Sequence, residues 1–213
     1  MKVAILSESP ADEAAVRVLV DCAVGVRTET VALSLRSRGW PAVRNVLPAV
    51  LRTVHYHTDA LHLVVVADAN HSTCHNAELG LDACAAAGCR LCELRTLAAK
   101  VCRELRPVAG KPAVRAAIGL AVPSIEAWWH WNQRLEVTER VWREGRQKNR
   151  DPYSRNQLKT AVYGTDRPPL ALEMDRMVAE AHRIAGCLDS FAQSFPDGFG
   201  SFLAELRQWR API

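Results

Sequence analysis

Leu63-Val-Val-Val-Ala67 is a run of apolar, largely β-branched residues that stops abruptly at Asp68, Ala69, Asn70 and His71. A continuous apolar run of this length suits a strand covered on both faces, as in a parallel sheet flanked by helices. Asp68 and Asn70 then sit at its carboxyl end, where open α/β sheets collect ligands. The N-terminus repeats the device: Val3-Ala-Ile-Leu6 is followed at once by Ser7-Glu8, with Asp12 and Glu13 opening a helix-like segment. Two strand ends carrying carboxylates can meet in space although 60 residues separate Glu8 from Asp68. Oxygen donors so grouped suit a hard cation such as Mg²⁺ or Mn²⁺ and point to metal-assisted phosphate chemistry.

Further strand-like runs cover residues 2–6, 30–35, 61–67 and 114–122, and the intervals at 12–24, 43–57, 76–87 and 92–105 read as helices. Strands alternating with helices imply right-handed crossovers and a mainly parallel sheet. Beyond Val122 the β-branched runs cease, and residues 124–142, 154–162, 173–188 and 200–209 read as helices with breaks at 149–152, 164–169 and 196–198. The expected architecture is an α/β core over residues 1–123 with a helical C-terminal portion, 124–213, packed on it. A chain of 213 residues is long enough to enclose such a core. No apolar run approaches the ~18–20 residues that span a bilayer, and the first apolar run is too short for a signal peptide. Seven cysteines without regular framework spacing fit a reducing compartment, so a cytoplasmic location is expected.

Net charge is only +4, but its distribution is uneven. Between Arg134 and Lys159 lie eight basic residues against four acidic ones, an excess equal to that of the whole chain. Arg143, Arg146, Lys148, Arg150 and Lys159 are the candidates for holding nucleic-acid phosphates. The plainer alternative is a solvated helix face laced with pairs such as Glu136–Arg140 and Glu139–Arg143.

Among the remaining candidates, Asp68 stands out, because a carboxylate next to four apolar residues is costly to desolvate unless it is paired or coordinated. Asp12 also has a structural reason to exist as an acid in a first helical turn. Glu126 follows the fourth strand and leaves from the same sheet edge. Trp128, Trp129 and Trp131 read as core anchors rather than a base-stacking platform. His71 and His75 flank the acidic turn and could relay protons or touch a phosphate. Cys89-x-x-Cys92, with Cys74 and His75 upstream, has zinc-site residue types, but its Ala-rich surroundings favour cysteines acting as small buried hydrophobes.

Several local words together resemble the TOPRIM domain: Glu8-x-x-x-Asp12-Glu13, Asp68-Ala-Asn70-His71-Ser72-Thr73, Pro123-Ser-Ile-Glu126-Ala-Trp128, and Leu158-Lys159 before Tyr163-Gly164. The chain is most similar to small stand-alone TOPRIM-like proteins related to the overcoming-lysogenisation-defect nucleases. The resemblance implies a Rossmann-like sheet and Mg²⁺- or Mn²⁺-dependent phosphodiester hydrolysis on nucleic acid. It implies an ion held by Glu8, Asp68 and Asn70 with Asp12, and Glu126 or Glu13 serving a second. A role in defence against foreign DNA, with an ATPase partner, is implied as well. Two departures weigh on it: Ser9-Pro10 replaces the usual Gly after the first Glu, and Asn70 replaces the second Asp of the Asp-x-Asp pair. Asn70 favours an alternative, a catalytically weak module that binds an ATPase partner or nucleic acid. A nucleotide binder on a flavodoxin-like sheet is disfavoured, since no Gly-rich phosphate loop follows the first strand.

Overall fold

A computed structural model describes residues 1–33, 39–133 and 136–210. Its centre is a four-stranded, all-parallel sheet of order β2-β1-β3-β4, built from β1 (Lys2–Leu6), β2 (Glu29–Val31), β3 (His62–Asp68) and β4 (Arg115–Ala121). Every residue of β3 is buried, as its unbroken apolar run requires. Successive side chains alternate between faces: Val3, Ile5, Val64, Val66 and Ala117 enter one core, while Ala4, Leu6, Leu63, Val65 and Ile118 enter the other. β2 covers less than the expected 30–35, of which residues 34 and 35 lie outside the described set.

The second core is closed by α2 (Gly39–His57) and α4 (Arg90–Glu104), preceded by the short α3 (Leu81–Ala86). The first is closed by α1 (Pro10–Val24) together with C-terminal helices: α5 (Ile125–Trp129), α6 (Glu139–Gln147), α7 (Arg155–Tyr163), α8 (Leu170–Ala185), α9 (Leu188–Ser194) and α10 (Ser201–Arg207). α8 lies along α1, and α10 covers β4, where Gly119 makes room for the Phe202 ring. The C-terminal helices therefore complete one face of the sheet. Trp128 and Trp129 are fully buried among Phe191, Phe195 and Phe199, as core anchors should be. No described helix is long and apolar enough to cross a membrane.

Two expected helices are shorter than the pattern implied. Residues 76–80 are loop and helix begins only at Leu81, behind Gly80. The helix expected over 124–142 is interrupted after α5, where Asn132 takes a left-handed conformation, and resumes at Glu139 behind its Thr138 cap. Later in the chain, residues Pro196–Gly200 form a π-helical turn between α9 and α10.

That turn is anchored by Glu139, which accepts the main-chain N–H groups of Asp197 (2.8 Å) and Gly198 (2.7 Å). Arg143, expected to pair with Glu139, pairs with Asp197 instead. A β-carbon on Gly198 would lie 1.9 Å from the Leu120 carbonyl oxygen and 2.7 Å from Glu139 Oε1. Gly198→Ala is therefore expected to destabilise the fold by about 3 kcal/mol, the upper range for overpacking. Urea denaturation measures this, and an unchanged midpoint would show that the turn relaxes freely.

Candidate active site

The parallel order 2-1-3-4 makes the β1/β3 boundary the point where the chain's crossovers change direction, and ligands gather outside such a boundary. Glu8 follows β1 and Asp68 ends β3, so both strand ends deliver their carboxylates there. They are joined directly: Glu8 Oε1 accepts the main-chain N–H of Asp68 at 2.9 Å. Asp68 Oδ1 in turn accepts the N–H of Ile125 at 2.9 Å, satisfying a free donor at the start of α5. Opposite lies Glu126, whose carboxylate accepts the Ser124 hydroxyl at 2.6 Å. Asp12 enters from the first turn of α1, where Ser9 caps the helix by accepting the Asp12 N–H. Its place in that turn and its place in the cleft are compatible.

These four acids, together with Glu173 from α8, line a cleft of about 250 Å³ closed by Tyr163, Met177 and Gly39. Its counter-charges come from α7. A Ser154–Gln157 capping box starts that helix, and Arg155, Lys159 and Tyr163, spaced four apart, project from one face into the cleft. Arg155 lies 3.6 Å from Asp68, while Lys159 lies 3.8 Å from Glu126 and 3.5 Å from Glu173. From the opposite side Arg90 donates to the Asp68 carbonyl at 2.8 Å and stacks on Trp40.

Burial and mutual repulsion both disfavour charge here. Asp68 is 5% exposed, and desolvation, then Glu126, Glu8 and Asp12, hold its carboxyl well above the usual carboxylate range. Desolvation and Glu126 push Asp12 up to about 7. Glu8 is raised by desolvation, against which the Asp68 N–H, Arg90 and Arg155 act.

Not all sequence candidates share this cleft. Asn70 lines an adjoining hollow of about 300 Å³ with His71, Asp151, Tyr153 and Arg155. It has a local role too: at φ +47° it occupies the left-handed region that Asn tolerates, and its N–H bonds to the Pro123 carbonyl at 2.6 Å. His71 is exposed beside Asp151, and His75 faces three cysteines instead. Of the basic candidates only Lys159 enters the cleft. Arg143 and Arg146 are engaged with Asp197 and Asp151, Arg140 pairs with Glu136 and Glu144, and Lys148 and Arg150 are exposed. Glu173 and Arg155 were not singled out from sequence, because helix packing alone brings them to the β1/β3 edge.

Comparison with protein-family models, curated proteins and solved structures gives no match.

The raised acids fix the sign of a pH effect. The unfolded chain releases these protons near pH 4, whereas folded Asp12 keeps its proton to about 7. Between those values the native state binds more protons, so this contribution to stability falls as pH rises and then levels off. Asp12→Asn should exceed the native sequence in stability by about 4 kcal/mol at about pH 8, the difference closing near pH 4. Urea titrations in chelator across this range test it, and parallel profiles would mean that Asp12 is not held protonated.

Proposed function

We propose that the protein is a metal-dependent phosphodiesterase acting on nucleic acid. The observation that carries this reading is the convergence of Glu8, Asp12, Asp68, Glu126 and Glu173 on one cleft with Arg155 and Lys159 at the β1/β3 edge. The donor set fits a hard divalent cation: it consists of carboxylate oxygens whose charges are raised in energy by burial and by one another. Glu8, Asp12, Asp68 and Glu126 would hold such an ion, which supplies charge stabilisation at the phosphoryl oxygens and activates water. Among the described residues these acids do not form a ready-made group of metal donors, and Arg155 and Lys159 take up part of their charge. On this reading the two cations exchange carboxylate partners for substrate phosphate oxygens. Asp12, pushed up by burial and by Glu126 while the site is empty, would give up its proton as it joins Glu8 and Asp68 on the ion. Lys148 and Arg150, exposed after α6, extend the phosphate-binding surface.

One observation favours the alternative, a binding module of low activity: Asn70 is neutral and lines the neighbouring hollow rather than the acidic cleft.

Asp68→Asn separates the two, because it removes the charge while keeping an oxygen to accept the Ile125 N–H. The native sequence should cleave DNA or RNA with Mg²⁺ or Mn²⁺, and Asp68→Asn should lose more than about 100-fold while remaining folded. Single- and double-stranded substrates, titrated with each ion, provide the measurement. Retained cleavage in Asp68→Asn would remove the mechanism, and nucleic-acid binding without cleavage by the native chain would favour the binding module.

A further inference from the structure

Outside the acidic cleft, His75 of the loop after β3, Cys84 of α3, and Cys89 and Cys92 at the start of α4 bring one donor atom each to a common point. We propose that these four side chains form a tetrahedral zinc site that fastens the 70–80 loop and α3 to the N-terminus of α4.

All four donor atoms lie within 4.8 Å of one another. From His75 Nδ1 the sulfurs are at 3.7 Å (Cys84), 3.8 Å (Cys89) and 3.2 Å (Cys92). A tetrahedron with Zn–S of about 2.3 Å and Zn–N of about 2.0–2.1 Å has N···S edges of roughly 3.6 Å, which these distances bracket. Hydrogen bonding accounts for less: a ring nitrogen carries one proton or one lone pair, which does not call for three sulfurs. Burial of cysteines as small hydrophobes explains each thiol singly but not their convergence on an imidazole. Three thiol donors and a histidine, with no carboxylate, are soft ligands that select zinc over the magnesium-type ions of the acidic cleft.

Burial opposes thiolate charge at Cys89 and Cys92. Acting against it, both sit at the first turn of the 15-residue α4, where the helix dipole favours thiolates, and the Cys92 N–H is directed at the Cys89 sulfur. Gly88, at φ +92°, turns the chain between α3 and α4, and Thr73 fastens the loop to the Ala87 carbonyl at 2.6 Å. Four protein ligands leave no open position, so the zinc is structural. Cys74, the upstream cysteine suggested by sequence, packs against the opposite core, and Cys84 takes its role.

The zinc proposal is independent of the phosphodiesterase reading. Zinc analysis by mass spectrometry on the purified full chain should find about one ion per molecule. Cys84→Ser and Cys92→Ser should lose most of it, whereas Cys74→Ser keeps it. Because the first two variants could fail to fold, the chelator-treated native chain is also titrated with Co²⁺. Sulfur-to-cobalt charge transfer and the intense visible bands of tetrahedral cobalt are the expected result. Cobalt without a thiolate band, zinc fully retained in Cys84→Ser, or a disulfide among the three cysteines in the natively purified chain would overturn the proposal.

Discussion

The Glu8 carboxylate accepts the Asp68 N–H across the β1/β3 boundary, and the Asp68 carboxylate passes the connection on to Ile125. Two strand ends and the first turn of α5 are thereby registered by acid side chains rather than by the sheet ladder. The arrangement has a structural benefit, since Glu8 satisfies a main-chain donor at the end of β3 and Asp68 satisfies one at the start of α5. It also has an electrostatic cost, because the same hydrogen bonds hold like charges together in a largely dry cleft. A fold that needed only the hydrogen bonds could use neutral acceptors. Retaining acids at Glu8, Asp12, Asp68 and Glu126 means that the fold tolerates repulsion which either protonation or a cation relieves.

Arg155 and Lys159 supply part of that relief, and their origin explains why the C-terminal helices matter to the site. α7 is only nine residues long, yet its capping box fixes where it begins, and the i, i+4, i+8 spacing aims Arg155, Lys159 and Tyr163 at the acids. At 3.5–3.8 Å these ion pairs are loose, without the short contacts of a closed bidentate salt bridge. On the proposed function, loose pairing at a buried acidic site would let these cations turn toward an incoming anion, which a tight structural salt bridge would not.

Much of this was legible from sequence for a simple reason: strand-end acids are local features. The apolar run ending at Asp68, and the shorter one ahead of Glu8, each report burial and position within a few residues. The parallel sheet, the flanking helices and the tryptophan anchors followed from the same periodicities. What stayed hidden depends on long-range packing. Glu173 reaches the cleft because α8 lies along α1, and nothing near residue 173 encodes that partnership. Asn70 looked like a second oxygen ligand by spacing alone, but its left-handed backbone gives its residue type a local reason. The cysteine cluster was legible only in part: Cys89, Cys92 and His75 stand out in the sequence, while Cys84 does not. The expected helix over 76–87 would have kept His75 and Cys84 apart from Cys89, and only the loop before Leu81 lets the chain fold back on itself.

The two clusters meet at Arg90. It follows Cys89 directly, opens α4, and bonds the Asp68 carbonyl while its guanidinium rests on Trp40. A guanidinium on a long side chain loses conformational freedom when held, so its position depends on a fixed backbone at the start of its helix. Apart from the Cys89 sulfur, at which the Cys92 N–H is directed, no side chain caps the first N–H groups of α4. The cysteines are the remaining candidates for the task, one immediately before Arg90 and one two residues after it. On the two proposals above, a soft-ligand cluster that sets the helix start and a hard-ligand cluster at the strand ends would divide the work. The first would hold the arginine that braces the Asp68 turn, and the second would keep its carboxylates available for a cation and a phosphate.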